Sequence, residues 1–179
     1  MPKKKKRPVP KAQQAKKQVP DAQATQDQNK NRVYFTFLYS NWLKSYKHKE
    51  FTTFLKDESM YSIQITYLFS YLIPKISEYW RSENTTPEFK HCHEVKEKDK
   101  SYSVYIKAIN SLHPEIDTES LRIWQFGFKG NPMRIICHKE KGNNFIPLLI
   151  DQHHLGSVDK HYNEADFGAY NFCPVSAYE

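Results

Sequence analysis

The sequence predicts an α+β fold, with helices packed on a small, mainly antiparallel sheet and a disordered basic arm at the N-terminus. Three observations predict it. The first 31 residues are rich in lysine and contain no aromatic side chain. A helical stripe of apolar residues follows between positions 61 and 79, and from position 121 the apolar pattern changes to the period of strands. We therefore expect two regions, an arm at 1–31 and a single domain at 32–179.

The arm carries the excess positive charge of the chain. Residues 1–32 contain eight Lys, two Arg and two Asp, which gives this segment a net formal charge of +8. The whole chain has a net formal charge of +7. The remaining residues hold 17 basic and 18 acidic groups, or −1. With four prolines and no aromatic residue, the arm cannot bury enough apolar surface to offset its ordering entropy, so we predict disorder. The sequence pI of about 9.2 therefore describes the arm.

The run Lys3–Arg7 has three interpretations. It could be a solvated tail, a non-specific contact to polyphosphate or nucleic acid, or a nuclear import address if the host is eukaryotic. Charge alone does not choose between them.

The domain is expected to begin at Val33. Residues 33–39 are aromatic and β-branched, which favours a first strand, although they could also open a helix. Phe51, Phe54 and Leu55 lie at helical spacing and predict a helix over 41–57.

The clearest helix is predicted between residues 61 and 79, where apolar side chains recur at steps of three and four. Ser59 is available as its N-cap, and Pro74 predicts a kink or break near Ile73. A further helix is expected from Glu88 to Leu112, with a break near Asp99.

Three strands are predicted after Leu121. The first spans 121–128 and is apolar on both faces, as expected of a strand covered on both sides. The second spans 133–138 and the third 145–151, with turns at Gly130 and Gly142 between them. Pro147 cannot donate to a strand ladder, so it should occupy an edge, a bulge or an unpaired position.

The cysteines and the apolar segments point to a cytoplasmic protein. Cys92, Cys137 and Cys173 form no CxxC pair, and the chain shows no apolar signal segment, so we expect reduced thiols. The longest apolar stretch, Ile63–Ile73, is too short to span a bilayer, and we expect no membrane association.

A polar cluster follows the third strand. Its candidate catalytic residues are His154, His161, Tyr162 and Asp166. Imidazole exchanges protons near neutral pH, so histidine beside a carboxylate suits general acid–base chemistry. The alternatives are a polar loop with surface histidines, or a metal site. The metal site would use Asp151, His153, His154 and His161.

The second strand carries the candidate substrate-binding residues Arg134, His138 and Lys139. Arg134 and His138 share one face of an extended chain. An arginine on the concave face of a small sheet could hold a phosphate bidentately, and an ordinary surface ion pair is the alternative.

The hairpin region resembles the RelE/ParE-like toxin superfamily. The matching segments are Phe126–Ile135, which contains Pro132 and Arg134, and Phe145–Ile150 beyond a glycine turn. The resemblance covers about residues 121–165. It implies a sheet that presents basic residues, with the family's arginine at Arg134, and RNA cleavage assisted by a late histidine or tyrosine. That position would fall among His153, His154, His161 and Tyr162.

The resulting functional expectation is metal-independent RNA cleavage without a cofactor. His154 or His161 would exchange protons, and Arg134 would contact the phosphate. The expected partners are RNA and an antitoxin or other protein. A second reading is a binding module without catalysis, in which the arm holds nucleic acid or an acidic partner. A third is a metal-dependent hydrolase or nuclease.

Overall fold

The computed structural model describes residues 32–80, 91–157 and 167–179, all within one compact unit, Asn31–Glu179. The predicted disordered arm at 1–31 lies outside these described residues. The strands are β1 (Tyr34–Phe35), β2 (Lys47–His48), β3 (Phe51–Thr52), β4 (His93–Glu94), β5 (Ile123–Phe126), β6 (Arg134–Lys139) and β7 (Asn144–Asp151). The helices are α1 (Glu58–Tyr67), a π-helical turn (Leu68–Leu72), α2 (Ile73–Trp80) and α3 (Lys100–Leu112). Short 3₁₀ turns lie at Ser40–Leu43, Thr118–Ser120 and Phe167–Ala169.

Five strands form a mixed sheet in the order β1-β7-β6-β5-β4, and β2 and β3 form a separate hairpin. Among the described strands of this sheet, β1 pairs in parallel with β7. The other three strand pairs of the sheet are antiparallel. The predicted α+β fold with a mainly antiparallel sheet is confirmed. Within the described residues, no helix combines the length and apolarity that a bilayer crossing requires.

Separate apolar clusters cover the two faces of the sheet. Leu68, Leu72 and Ile76 from the π turn and α2 pack with one set of strand side chains, which includes Phe126 and Phe145. Helix α3 packs with the other set, which includes Ile123, Ile136, Leu148 and Leu149. Neighbouring strand residues point to opposite faces, so the continuous apolar runs of β5, β6 and β7 are explained by a sheet covered on both sides.

Pro147 lies at a bulge, as its missing N–H group predicted. The register of β6 and β7 shifts between Ile136, which faces Leu149, and Cys137, which faces Pro147. Leu148 is the extra residue, and its carbonyl accepts a hydrogen bond of 2.7 Å from Nε2 of the buried His113. The bulge therefore leaves no unmet carbonyl at this point, because a side chain from the end of α3 supplies the donor.

The predicted helix around Pro74 is present, and its backbone accommodates the proline. The π-helical turn ends with the N–H of Ile73 donating to the carbonyl of Leu68, and α2 then continues to Trp80. The wider turn shifts the hydrogen-bond pattern just before the residue that lacks a donor. The N-cap is Asp57 and not Ser59: its Oδ1 accepts a 2.8 Å bond from the N–H of Met60.

The prediction of a helix over 41–57 is wrong. Apart from the 3₁₀ turn at Ser40–Leu43, this segment forms the β2–β3 hairpin, with Lys49 at a φ of 55° in the turn. The hydroxyl of Thr53 accepts the N–H of Tyr46 across the hairpin at 2.8 Å. Phe51 and Leu55, whose spacing suggested a helix, are buried although the chain here is extended. Tertiary contacts, and not a helical face, therefore cover these side chains.

The prediction of a helix over 88–112 is also wrong in its first half. Residues 88–90 lie outside the described ranges, and His93–Glu94 form the edge strand β4. The Asp99 carboxylate accepts the N–H of Lys96 at 2.8 Å, which closes a turn before α3 begins at Lys100. The predicted break near Asp99 is confirmed as the boundary between a strand and a helix.

Candidate functional site

Arg134 lies inside the domain. Only 1% of its surface is exposed, and one guanidinium nitrogen donates to the carbonyls of Asn131 and Met133 at 2.6 and 2.8 Å. A Cβ on Gly127 would come within 2.5 Å of the Arg134 side chain, so the glycine makes room for it. The structure therefore places the predicted phosphate contact in the protein interior, away from any exposed concave surface.

Asp151 faces Arg134 across the β6–β7 pair and is fully buried. Its carboxylate accepts backbone N–H bonds from His153, Leu155 and Gly156 at 3.3, 3.0 and 2.8 Å. The hydroxyl of Tyr105 in α3 donates a further bond at 3.1 Å. Both carboxylate oxygens are thereby engaged within the chain, which favours a structural role for Asp151.

His153 fastens the chain after β7 to two other segments. Its Nε2 donates to the carbonyl of Phe54 at 2.7 Å, and its ring stacks on Phe167 at 4.1 Å between centroids. Burial lowers the pKa of His153 below its ordinary value of 6.5, although the Phe54 carbonyl and Asp151 act in the opposite direction. The ring is therefore neutral at pH 7 and serves as a packing element.

His154 is also buried, with 6% exposure, and adopts a φ of 59° in the left-handed region. His161, Tyr162 and Asp166 lie outside the described residues, so their predicted catalytic roles stay predictions. Within the described ranges, no group of three or more His, Cys, Asp or Glu side chains is arranged to hold a metal ion. Of the alternative metal set, Asp151 and His153 already have partners within the chain.

An exposed basic groove lies at the opposite end of β6. Its volume is about 560 Å³. It is lined by Ser120, Arg122, His138, Lys139, Glu140, Lys141 and Asn144. Three cations thus meet one carboxylate, and Glu140 also accepts a 2.8 Å bond from Asn144. Two of the predicted substrate-binding residues, His138 and Lys139, are brought together here, while Arg134 at the start of the same strand is not.

His138 presents a defined tautomer. Its Nδ1 accepts the backbone N–H of Arg122 at 3.3 Å. Burial lowers the pKa of His138 from its ordinary 6.5, with the Glu140 carboxylate acting in the opposite direction, so the ring is neutral at pH 7. A neutral imidazole that accepts at Nδ1 carries its proton on Nε2. The ring can therefore offer the groove a hydrogen-bond donor.

Lys139 connects the groove to a group of aromatic rings. Its Nζ lies 4.7 Å from the ring centroid of Trp124 and 5.6 Å from those of Trp80 and Phe145. Burial, and then the positive charge of Arg122, lowers the pKa of Lys139, while Glu94 acts in the opposite direction. Arg122 forms a 3.2 Å ion pair with Glu94. The ammonium is therefore held in a cation–π arrangement at the groove.

Cys173 differs from the other thiols. Burial alone would raise its pKa, but hydrogen bonds from Ser176 and Ser45 outweigh that effect and lower the pKa to about 7. Burial raises the pKa of Cys92 to about 11 and that of Cys137 well above its ordinary 9.0. Cys173 is thus the thiol with most thiolate character at neutral pH.

A separate surface feature is apolar. Phe37, Leu38 and Phe69 are 46%, 59% and 49% exposed, and the rings of Phe37 and Phe69 lie 6.4 Å apart. The expected antitoxin or other protein partner is not identified by this surface and stays a prediction.

Comparison with known proteins identifies a family. The family model described as "Uncharacterised protein UU032" matches residues 38–179. The chain belongs to the UU032 family. The relative named "Uncharacterized protein UU032", from Ureaplasma parvum serovar 3 (strain ATCC 700970), is 36% identical over 149 residues, which is 82% of each chain. No solved structure matches the chain.

The family match covers nearly all the described residues of this UU032 member, including the whole groove. Sequence reasoning missed Arg122 and Lys141 as groove residues and Cys173 as a perturbed thiol. The strand register could have found Arg122, because the residue before β5 lies beside the end of β6 in an antiparallel pair. No sequence signal marks Cys173, because Ser45 reaches it from a distant segment.

The Tyr105→Phe variant tests the structural role of the Asp151 carboxylate. It removes one donor to a buried carboxylate, so we expect the free energy of unfolding to fall by about 1.5–3 kcal/mol in urea denaturation. Tyr102→Phe on the same helix is the control and should change it by less than about 0.5 kcal/mol. Equal effects of the two substitutions would contradict the role assigned to Tyr105.

The lowered pKa of His153 predicts that the protein loses stability in acid. The folded state lowers its pKa below 6.5, so its contribution is complete above pH 6.5 and is lost as the pH falls below that value towards the folded-state pKa. We expect His153→Gln, which keeps a donor for Phe54, to flatten the decrease in Tm between pH 7 and 5. His48→Gln, at an exposed position, should retain the full decrease. An unchanged slope in His153→Gln would refute the assignment.

Thiol reactivity should follow the three cysteine environments. We expect iodoacetamide to label Cys173 before Cys92 and Cys137, with a half-maximal rate near pH 7, as peptide mass spectrometry can measure. Ser176→Ala removes one donor to the sulfur and should move this midpoint to higher pH. Labelling of Cys92 as fast as Cys173 would show that hydrogen bonding does not control the reactivity.

Proposed function

We propose that this UU032 member binds nucleic acid, with RNA as the expected ligand, through contacts between the basic groove and the phosphodiester backbone. The single observation that carries the proposal is that Arg122, Lys139 and Lys141 line one open groove together with the donor ring of His138. Phosphate oxygens accept hydrogen bonds and attract cations, so this set matches a backbone contact.

The charge distribution supports a local site. Residues 33–179 have a net formal charge of −1, so these cations do not belong to a generally basic surface. Their position is set by the sheet, because Arg122 is bound to β6 twice: its carbonyl accepts the N–H of Lys139 at 2.8 Å, and its N–H donates to the His138 ring at 3.3 Å. Residues 1–32 add a net formal charge of +8, which supports long-range attraction of a polyanion.

Binding is better supported than cleavage by the described residues. A general base needs a free lone pair, but Nδ1 of His138 is occupied by Arg122, and the other nitrogen carries the proton. His154, the described member of the predicted acid–base set, is buried just after the strand end opposite to the groove. RelE-like cleavage therefore stays a prediction about His154, His161, Tyr162 and Asp166, and the described geometry adds no support to it.

The groove proposal is tested with a labelled 12-nucleotide RNA and fluorescence anisotropy. We expect Arg122→Gln combined with Lys141→Gln to weaken binding at low salt, because two phosphate contacts are lost. The slope of log affinity against log salt should fall by about 1.4, at about 0.7 per contact to a single strand. Lys56→Gln is the matched control, because Lys56 is exposed and lies beside Leu55, on the side of the molecule where Phe54 meets His153.

Two further measurements separate the alternatives. Replacement of Lys3–Arg7 by Gln removes charge from the arm alone. If that change abolishes binding while the groove substitutions leave affinity and slope unaltered, the arm is the binding element and the groove proposal fails. Gel analysis of the RNA after incubation with EDTA detects metal-independent cleavage, and a DNA strand of the same sequence measures the preference for RNA.

A further inference from the structure

Three aromatic rings form a corner beside the groove. Trp80 at the end of α2, Trp124 in β5 and Phe145 in β7 have ring centroids 5.3–5.7 Å apart. Their planes meet at 65° for Trp80 and Trp124, 76° for Trp80 and Phe145, and 65° for Trp124 and Phe145. Each ring therefore turns its edge to another, and we call this group of three rings the aromatic corner.

The Lys139 ammonium occupies the aromatic corner. It lies within 6 Å of all three ring centroids and closest to Trp124, and Lys139 also lines the basic groove. One flexible side chain is thus common to the two features. Trp80 and Trp124 are each only partly buried, whereas Phe145 is fully buried, so the two indole rings are the part of the corner that reaches the surface.

The ammonium can be exchanged at small energetic cost. A cation–π contact at a partly exposed site contributes about 0.5–1 kcal/mol. In its present position Lys139 is partly desolvated and near the positive charge of Arg122, and both effects lower its pKa. A phosphate oxygen in the groove would offset both effects, because it supplies a charged acceptor. Movement of Lys139 to such an oxygen would uncover the ring of Trp124.

We propose that the aromatic corner receives an unpaired nucleobase, so that the groove recognises single-stranded nucleic acid. The proposal rests on the nucleic-acid binding proposed above and specifies its ligand class. One nucleotide carries a base and a phosphate on the same sugar, so it can place the base on Trp124 or Trp80 while Lys139 moves to the phosphate. Paired bases inside a duplex have both faces covered, and only unpaired bases can stack in this way.

The stacking is tested on the full chain with three ligands of equal length: a 12-nucleotide RNA strand, its duplex, and an abasic strand. We expect the RNA strand to bind most tightly. Trp80→Leu should weaken its binding by about 5- to 100-fold, as expected for the loss of one stacked base, and should leave binding of the abasic strand unchanged. Trp80→Phe is the matched variant, because it keeps an aromatic face and should retain most of the affinity.

A second measurement uses the unchanged protein. Base stacking quenches indole emission, so titration with the RNA strand should reduce tryptophan fluorescence more than titration with the abasic strand. Equal affinity for all three ligands, with no effect of Trp80→Leu and equal fluorescence changes, would overturn the stacking proposal while the groove proposal stands. Failure of every ligand to bind, or binding unaffected by Arg122→Gln with Lys141→Gln, would overturn both.

Discussion

The buried carboxylate of Asp151 is the interaction on which the arrangement of this domain depends. A buried charge is costly unless hydrogen bonds and an opposite charge surround it. Here three backbone N–H groups and the Tyr105 hydroxyl bind the carboxylate, and Arg134 faces it across the strand pair. These contacts join β7 to α3 and shape the chain that follows β7. The turn also brings Gly156 against the ring of Tyr105, where a Cβ would collide with the ring.

The two ends of β6 differ in exposure, because the end beside this cluster is buried and the other end reaches solvent. At one end, Arg134 is enclosed and donates to the carbonyls of Asn131 and Met133. At the other, His138 and Lys139 lie at the groove, together with Arg122 just before β5 and Asn144 at the start of β7. Two of the histidines after β7, His153 and His154, are held in the interior, and His153 is bound to Phe54 and stacked on Phe167. The side chains of β6 that reach solvent therefore lie at the groove end.

The groove and the aromatic corner share Lys139, which gives the two proposals a common physical basis. Phosphate binding alone requires only cations and donors, and the groove has both. Recognition of an unpaired base requires an accessible aromatic face, which the lysine now covers. Membership of the UU032 family places these residues within a region matched by the family model, from residue 38 to residue 179.

Local patterns in the sequence were sufficient for the strands β5, β6 and β7, the position of Pro147 in a bulge and the long helix through Pro74. These features depend on hydrophobic period and on backbone chemistry, which a single segment carries. The same patterns were misleading at Phe51 and Leu55, because long-range burial overrode helical spacing. They were also misleading at Arg134, because a strand pattern does not reveal which cation is enclosed in the interior. The grouping of Arg122, Lys139 and Lys141, the ring contacts around Lys139 and the environment of Cys173 all join residues distant in sequence. Only the tertiary structure decided them, because strand pairing and packing bring these side chains together.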